Sequence, residues 1–224
     1  MVKIVTKYQA SQNGVIGITL NSHWFEPLSE EKENKNAALR ALDFMLGWFA
    51  EPLTSGDYPQ SMRSLVGGRL PKFTKEQSKL LIGSFDFLGL NYYTGYYASD
   101  APQNNSVYAS FATDYGVNLS SERNGVPIGP KGASEWLNIY PQGIQHLLLY
   151  TKKKYHNPII YITENGWKIW EMSVFPGRLP KFQQKVSSLF SKWTRHQYDV
   201  KNIIGFVTDS EEFGAGPVNL VSEH

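Results

Sequence analysis

Short apolar runs alternate with amphipathic stretches along the 224 residues. Gly17-Ile18-Thr19-Leu20 has the length of a strand, and Ser29 follows it as a helix cap with Glu30, Glu31 and Glu33 in the acidic first turn that a helix dipole favours. The pattern predicts a helix from there to about Trp48. Its second half (Ala41, Leu42, Phe44, Met45, Leu46, Trp48) is apolar on nearly every side, as expected of a helix packed on a sheet. Glu51-Pro52 and then the turn residues from Thr54 to Pro59 predict its end. Thr74-Lys75-Glu76-Gln77 has the form of a capping box and predicts a second helix. Phe87-Leu88-Gly89-Leu90 is again strand-like and ends in the polar and aromatic Asn91-Tyr92-Tyr93-Thr94. From Gly95 to Asn138 the chain is rich in Ser, Asn, Gly and Pro without a clear period, which reads as a long functional or variable loop. Pro141 suits the first position of a third helix, with Ile144, Leu147 and Leu148 on one face and Lys152, Lys153 and Lys154 complementing the dipole in its last turn. Ile159-Ile160-Tyr161-Ile162 has no alternation, the pattern of a parallel strand covered on both faces.

Strand, helix, helix, strand, helix, strand is the order of an α/β architecture with right-handed crossovers, and a (β/α) barrel or an open parallel sheet both fit it. Each strand is followed by a polar cluster: His23-Trp24, Asn91-Tyr92-Tyr93 and Thr163-Glu164-Asn165-Gly166. All three therefore belong at strand C-terminal ends, where ligands bind and catalytic groups collect in parallel α/β folds.

Composition narrows the picture only in places. At 41% apolar residues the chain can build a sizeable core, and a net charge of +2 gives no field that would recruit nucleic acid or an anionic membrane. There is no cysteine, and the five histidines are dispersed, so no disulfide scaffold and no metal site is expected. Met1 to Tyr8 contain no apolar stretch of export-signal length, so no leader is expected and the compartment stays unassigned. Asn104-Asn105-Ser106 and Asn118-Leu119-Ser120 are glycosylation sequons, which fit a secretory relative. Aromatic residues reach 14%, gathered in clusters. That enrichment suits stacking on sugar rings, but composition by itself favours ordinary core packing.

Several ordered segments carry a resemblance to a known family. Tyr161-Ile162-Thr163-Glu164-Asn165-Gly166 resembles the nucleophile motif of glycoside hydrolase family 1. Gly17 to Pro27 is similar to the segment after the fifth barrel strand in the plant β-glucosidase members. Gly56-Asp57-Tyr58-Pro59, Arg69-Leu70-Pro71, Asp86 to Thr94 and Trp136 to Pro141 follow in family order. The resemblance covers roughly residues 6 to 166 and implies an α/β fold, a partial (β/α)8 TIM barrel of about strands 5 to 7. It implies a retaining O-glycosyl hydrolase acting on small-molecule β-glucosides without cofactor or metal, with Glu164 as nucleophile and Tyr93 as the neighbour that hydrogen-bonds it. By the same resemblance Asn91 lines the sugar pocket, Trp136 is the platform for the aglycone and His23 lies on the outer side of the site. For His23 a plain strand-end role stands beside that reading. The chain carries no Asn-Glu-Pro segment, which supplies the acid/base glutamate in the family. A catalytically inactive fragment or a weak glycoside- or partner-binding module is therefore the alternative. After Gly166 the resemblance stops, so residues 1–166 are read as a partial barrel domain and 167–224 as a divergent tail. In that tail Phe182, Val186, Leu189, Phe190 and Trp193 fall at helical spacing after Pro180. Sugar, aglycone and oligomeric state are not legible in these residues.

Overall fold

The computed structural model describes residues 14–101, 109–132 and 134–165, together with the backbone of a strand at 203–206. The opening residues, the Asn104 sequon, Gly166 and the helical spacing between Pro180 and Trp193 lie outside the described residues.

In chain order the elements are β1 (Gly17–Asn21), β2 (Trp24–Pro27), α1 (Lys32–Leu42), a π-helical turn (Asp43–Gly47) and α2 (Trp48–Ser55). Then come α3 (Gln60–Val66), a 3-10 turn (Gly67–Arg69), α4 (Lys75–Leu81), β3 (Phe87–Tyr92), β4 (Gly95–Asp100) and α5 (Phe111–Asp114). The short strands β5 (Val117–Ser120), β6 (Glu122–Arg123) and β7 (Val126–Pro127) precede α6 (Pro141–Lys154), β8 (Ile159–Asn165) and β9 (Ile203–Phe206). The main sheet is parallel throughout in the order β1-β3-β8-β9. Its fourth strand comes from the segment that the sequence left unassigned, pairing Ile203 with Ile160 and Phe206 with Ile162. The sheet is an open one among the described residues, with β1 and β9 at its ends, and does not close into a barrel.

The core lies on one side of this sheet. Leu88, Leu90, Ile160 and Ile162 join Ile144, Leu147 and Leu148 of α6 in one buried cluster, which also takes in Ala37, Ala38 and Ala41 of α1. The predicted face of the third helix is thus the one that packs. Lys154 does more than complement the dipole. Its ammonium sits 2.5 Å from Asp43 Oδ1 and 2.9 Å from Glu51 Oε2, tying α6 to the π-helical turn and to α2. Burial works against its charge, but the hydrogen bonds to both carboxylates hold its pKa above the usual lysine value.

Three boundaries differ from the sequence reading. The first helix begins at Lys32, because Glu31 stays extended (φ −61°, ψ 145°) while Ser29 Oγ accepts from the Glu31 amide at 3.3 Å and from Asn34 Nδ2 at 2.7 Å. Pro52 does not end α2. It removes one backbone donor, yet it and Leu53 are buried, and the helix runs on to Gly56, whose amide closes the last turn on Pro52 O at 3.0 Å and whose left-handed φ of 81° then turns the chain away. The stretch read as a long functional or variable loop from Gly95 to Asn138 contributes, in its described residues, strands to a second layer. After Ser22-His23 the β1 strand is succeeded by β2, and after Tyr93-Thr94 β3 is succeeded by β4. These upper strands pair in parallel, and β5 joins β4 antiparallel. The Gly and Asn residues serve its turns, with positive φ at Gly116, Asn124 and Gly125. Arginines fasten this layer: Arg40 reaches Asp100 and the carbonyls of Tyr115 and Gly116, and Arg69 grips both oxygens of Asp114 at 2.9 and 2.6 Å. The capping box at Thr74 forms as predicted, Thr74 Oγ1 accepting from the Gln77 amide and Gln77 Oε1 from the Thr74 amide. No feature of the sequence reading foresaw α3.

The packing of α6 makes a test. Leu147 is fully buried and Leu149, two residues on, is 47% exposed. Leu147→Ala is expected to cost about 2–5 kcal/mol of unfolding free energy. Leu149→Ala should stay within about 0.5 kcal/mol. Urea denaturation midpoints of the two variants distinguish them.

Candidate active site

The parallel register brings the strand ends together. Asn21 of β1 pairs with Asn91 of β3, and Asn91 pairs with Glu164 of β8. Across that last pair Asn91 Nδ2 donates to Glu164 Oε1 at 2.8 Å, and the Tyr93 hydroxyl donates to Glu164 Oε2. Both oxygens of the partly exposed carboxylate are thereby held by neutral donors, which fix its plane and leave no cation to neutralise it at these contacts. Asn91 is held in turn: Thr163 Oγ1 donates to Asn91 Oδ1 at 2.5 Å.

Aromatic rings wall one side. Trp136 meets Tyr93 nearly edge-on, at 6.1 Å between centroids and 85° between planes, and stands 6.4 Å from the His23 ring. His23 also lies 5.7 Å from Tyr96, whose hydroxyl donates to the Trp136 carbonyl. Trp136 keeps 48% of its surface exposed to solvent. His23 is the reverse case. Its Nδ1 is buried without a hydrogen-bond partner, and burial pushes its pKa down to about 4, so the ring is neutral at physiological pH. Its backbone amide rests 3.4 Å from Met45 Sδ of the π-helical turn.

All five residues singled out from the sequence are thus joined in one constellation: Asn91, Glu164 and Tyr93 by hydrogen bonds, and Tyr93, Trp136 and His23 by ring contacts. Thr163 and Tyr96 were not foreseen as members. Thr163 stood in the motif without an evident partner, and Tyr96 lay in the stretch read as loop. Glu26 is a second half-buried carboxylate, but it serves the scaffold. Its Oε1 accepts from Trp24 Nε1 at 2.7 Å and from the Tyr140 hydroxyl at 3.0 Å, with His146 Nδ1 at 3.1 Å, so it pins β2 to α6.

The half-buried, neutral His23 predicts a pH effect. The unfolded chain takes up the imidazole proton below about pH 6.5. The folded chain takes it up only near pH 4. The unfolded state therefore binds more protons between these values, and stability falls as pH drops through that window, by roughly 3 kcal/mol in full. His23→Phe keeps a ring and removes the titration. Urea denaturation at about pH 7.5 and about pH 4 should show a smaller acid loss in the variant than in the native chain, and equal losses would contradict the burial argument.

Comparisons with known proteins assign the chain to a family. A profile described as glycosyl hydrolase family 1 matches residues 1–174. The chain is 61% identical over 175 residues to a cyanogenic β-glucosidase of Trifolium repens, covering 78% of this chain and 41% of the relative. It is 62% identical over 160 residues to β-glucosidase 12 of Oryza sativa subsp. indica, covering 71% of this chain and 31% of the relative. The chain thus spans about a third of the length of the curated relatives it matches. Among solved structures, the rice β-glucosidase Os3BGlu6 superposes with a TM-score of 0.77 at 35% identity, over 92% of this chain and 45% of that one. With a family match over most of its length, the chain belongs to glycosyl hydrolase family 1.

Proposed function

We propose that this chain carries the nucleophile side of a retaining β-glucosidase site. The observation that carries the reading is the Glu164 carboxylate, held through both oxygens by Asn91 and Tyr93 at the C-terminal end of a parallel sheet, in a chain of this family. Glu164 attacks the anomeric carbon of a β-glucoside and the bond to the aglycone oxygen breaks, its electrons leaving with that oxygen. The resulting ester is then hydrolysed by water, which returns the carboxylate. Asn91 and Tyr93 keep the attacking oxygens aimed, and neither donor sets a positive charge against the nucleophile.

The half-exposed face of Trp136 suits an apolar aglycone, and Asn91 offers an amide to the sugar edge. Neutral His23 closes the outer side. In this reading β1, β3 and β8 correspond to the fifth, sixth and seventh strands of a (β/α)8 barrel, and the substrate is a small-molecule β-glucoside. Retaining glycosidases protonate the departing oxygen with a second carboxyl group about 5–5.5 Å from the nucleophile. The sequence has no Asn-Glu-Pro motif to supply it.

The experiment uses a 2-deoxy-2-fluoro-β-glucoside whose activated aryl leaving group needs little protonation, with labelled peptides read by mass spectrometry. Label on Glu164, lost in Glu164→Gln, is the expected result. Absence of label from soluble, folded chain would overturn the nucleophile assignment. Tyr93→Phe removes a hydrogen bond to a charged group and should slow labelling by roughly ten- to a hundredfold.

A further inference from the structure

β8 does not run in step with β3. Leu88 pairs with Ile160 and Leu90 with Ile162, but Asn91 pairs with Glu164, which leaves Thr163 as one residue in excess. Strict alternation along β8 would put Glu164 on the same side as Ile160 and Ile162, each 1% exposed in the core beneath α6. The extra residue reverses this. Thr163 and Glu164 are neighbours in sequence, yet both reach the same side chain, at Asn91 Oδ1 and Asn91 Nδ2. Gly89 makes the room: a Cβ there would come within 3.0 Å of Thr163 Cγ2 and 2.4 Å of Thr19 Oγ1. The Thr163 methyl thus lies over a strand position that has no side chain, and its hydroxyl is free to point along β3 towards Asn91.

We propose that Thr163 is a positioning residue of this site: it is the bulge that turns Glu164 out of the core, and its hydroxyl sets the Asn91 amide so that Nδ2 faces the carboxylate. With the hydroxyl donating to Oδ1, the amide has one good orientation. A reversed amide would set Oδ1 against a carboxylate oxygen, two acceptors with no proton between them. The kinetic part of this inference rests on Glu164 being the nucleophile; the conformational part does not.

Thr163→Val keeps the branched shape and removes the hydroxyl, whereas Thr163→Ser keeps the hydroxyl. The full chain and both variants are labelled with the activated fluoroglucoside to obtain an inactivation rate constant and an inhibitor affinity. The Asn91 side-chain amide pair is followed in parallel by NMR on chain labelled with 15N-asparagine. In Thr163→Val the rate constant should fall about tenfold at unchanged affinity, and the Asn91 pair should shift or broaden. In Thr163→Ser both should remain close to the native chain. A Val variant that labels at the native rate overturns the inference, as does an equal slowing of both variants with Asn91 unchanged. If the native chain takes no label, the nucleophile reading fails on its own. The Asn91 signals then decide alone: altered in Val and native in Ser supports the positioning role, and unaltered in both overturns it.

Discussion

The hydrogen-bonded register between β3 and β8 is the constraint on which the rest of the structure depends. In a parallel sheet the strand ends lie side by side, so a few polar residues placed just past three separate apolar runs become neighbours without any contact in sequence. Asn91 stands at the centre of that register. It is flanked by Asn21 on one side and Glu164 on the other. The single extra residue at Thr163 decides which side of the sheet Glu164 occupies, and therefore whether its carboxylate meets Asn91 and Tyr93 or is driven towards leucine and isoleucine.

Much of the remaining chain keeps this edge in place. Below it, the aliphatic face of α6 and the leucine and isoleucine residues of β3 and β8 pack into one buried cluster. Polar ties hold its borders. Lys154 joins α6 to Asp43 and Glu51, and Glu26 gathers donors from β2, Tyr140 and α6. Above the edge, the layer made by β2, β4 and β5 delivers Tyr96, whose hydroxyl grips the Trp136 carbonyl. Trp136 can thus present a ring face to solvent because its backbone is anchored elsewhere.

Membership of glycosyl hydrolase family 1 rests on a likeness spread over many residues, whereas the pair of hydrogen bonds at Glu164 is a feature of the fold that such a likeness does not report. The exposed Trp136 and the half-buried, neutral His23 stand side by side in one aromatic wall, the first open to solvent and the second turned into the packing.

The sequence by itself determined the main strands, the capping box at Thr74, the apolar face of α6 and the placing of all three polar clusters at strand ends. These depend on local periodicity and on caps, which neighbouring residues settle among themselves. It also named the members of the site, by resemblance. Only the tertiary structure decided that β4 and β5 join β2 in a second layer, because that pairing and the clamping by Arg40 and Arg69 are contacts between residues far apart in sequence. It likewise decided that Pro52 continues a helix and that residues 203–206 add a fourth strand. The bulge at Thr163 was invisible for the same physical reason: a strand's alternation shows which residues share a face, but a one-residue slip exists only against the partner strand.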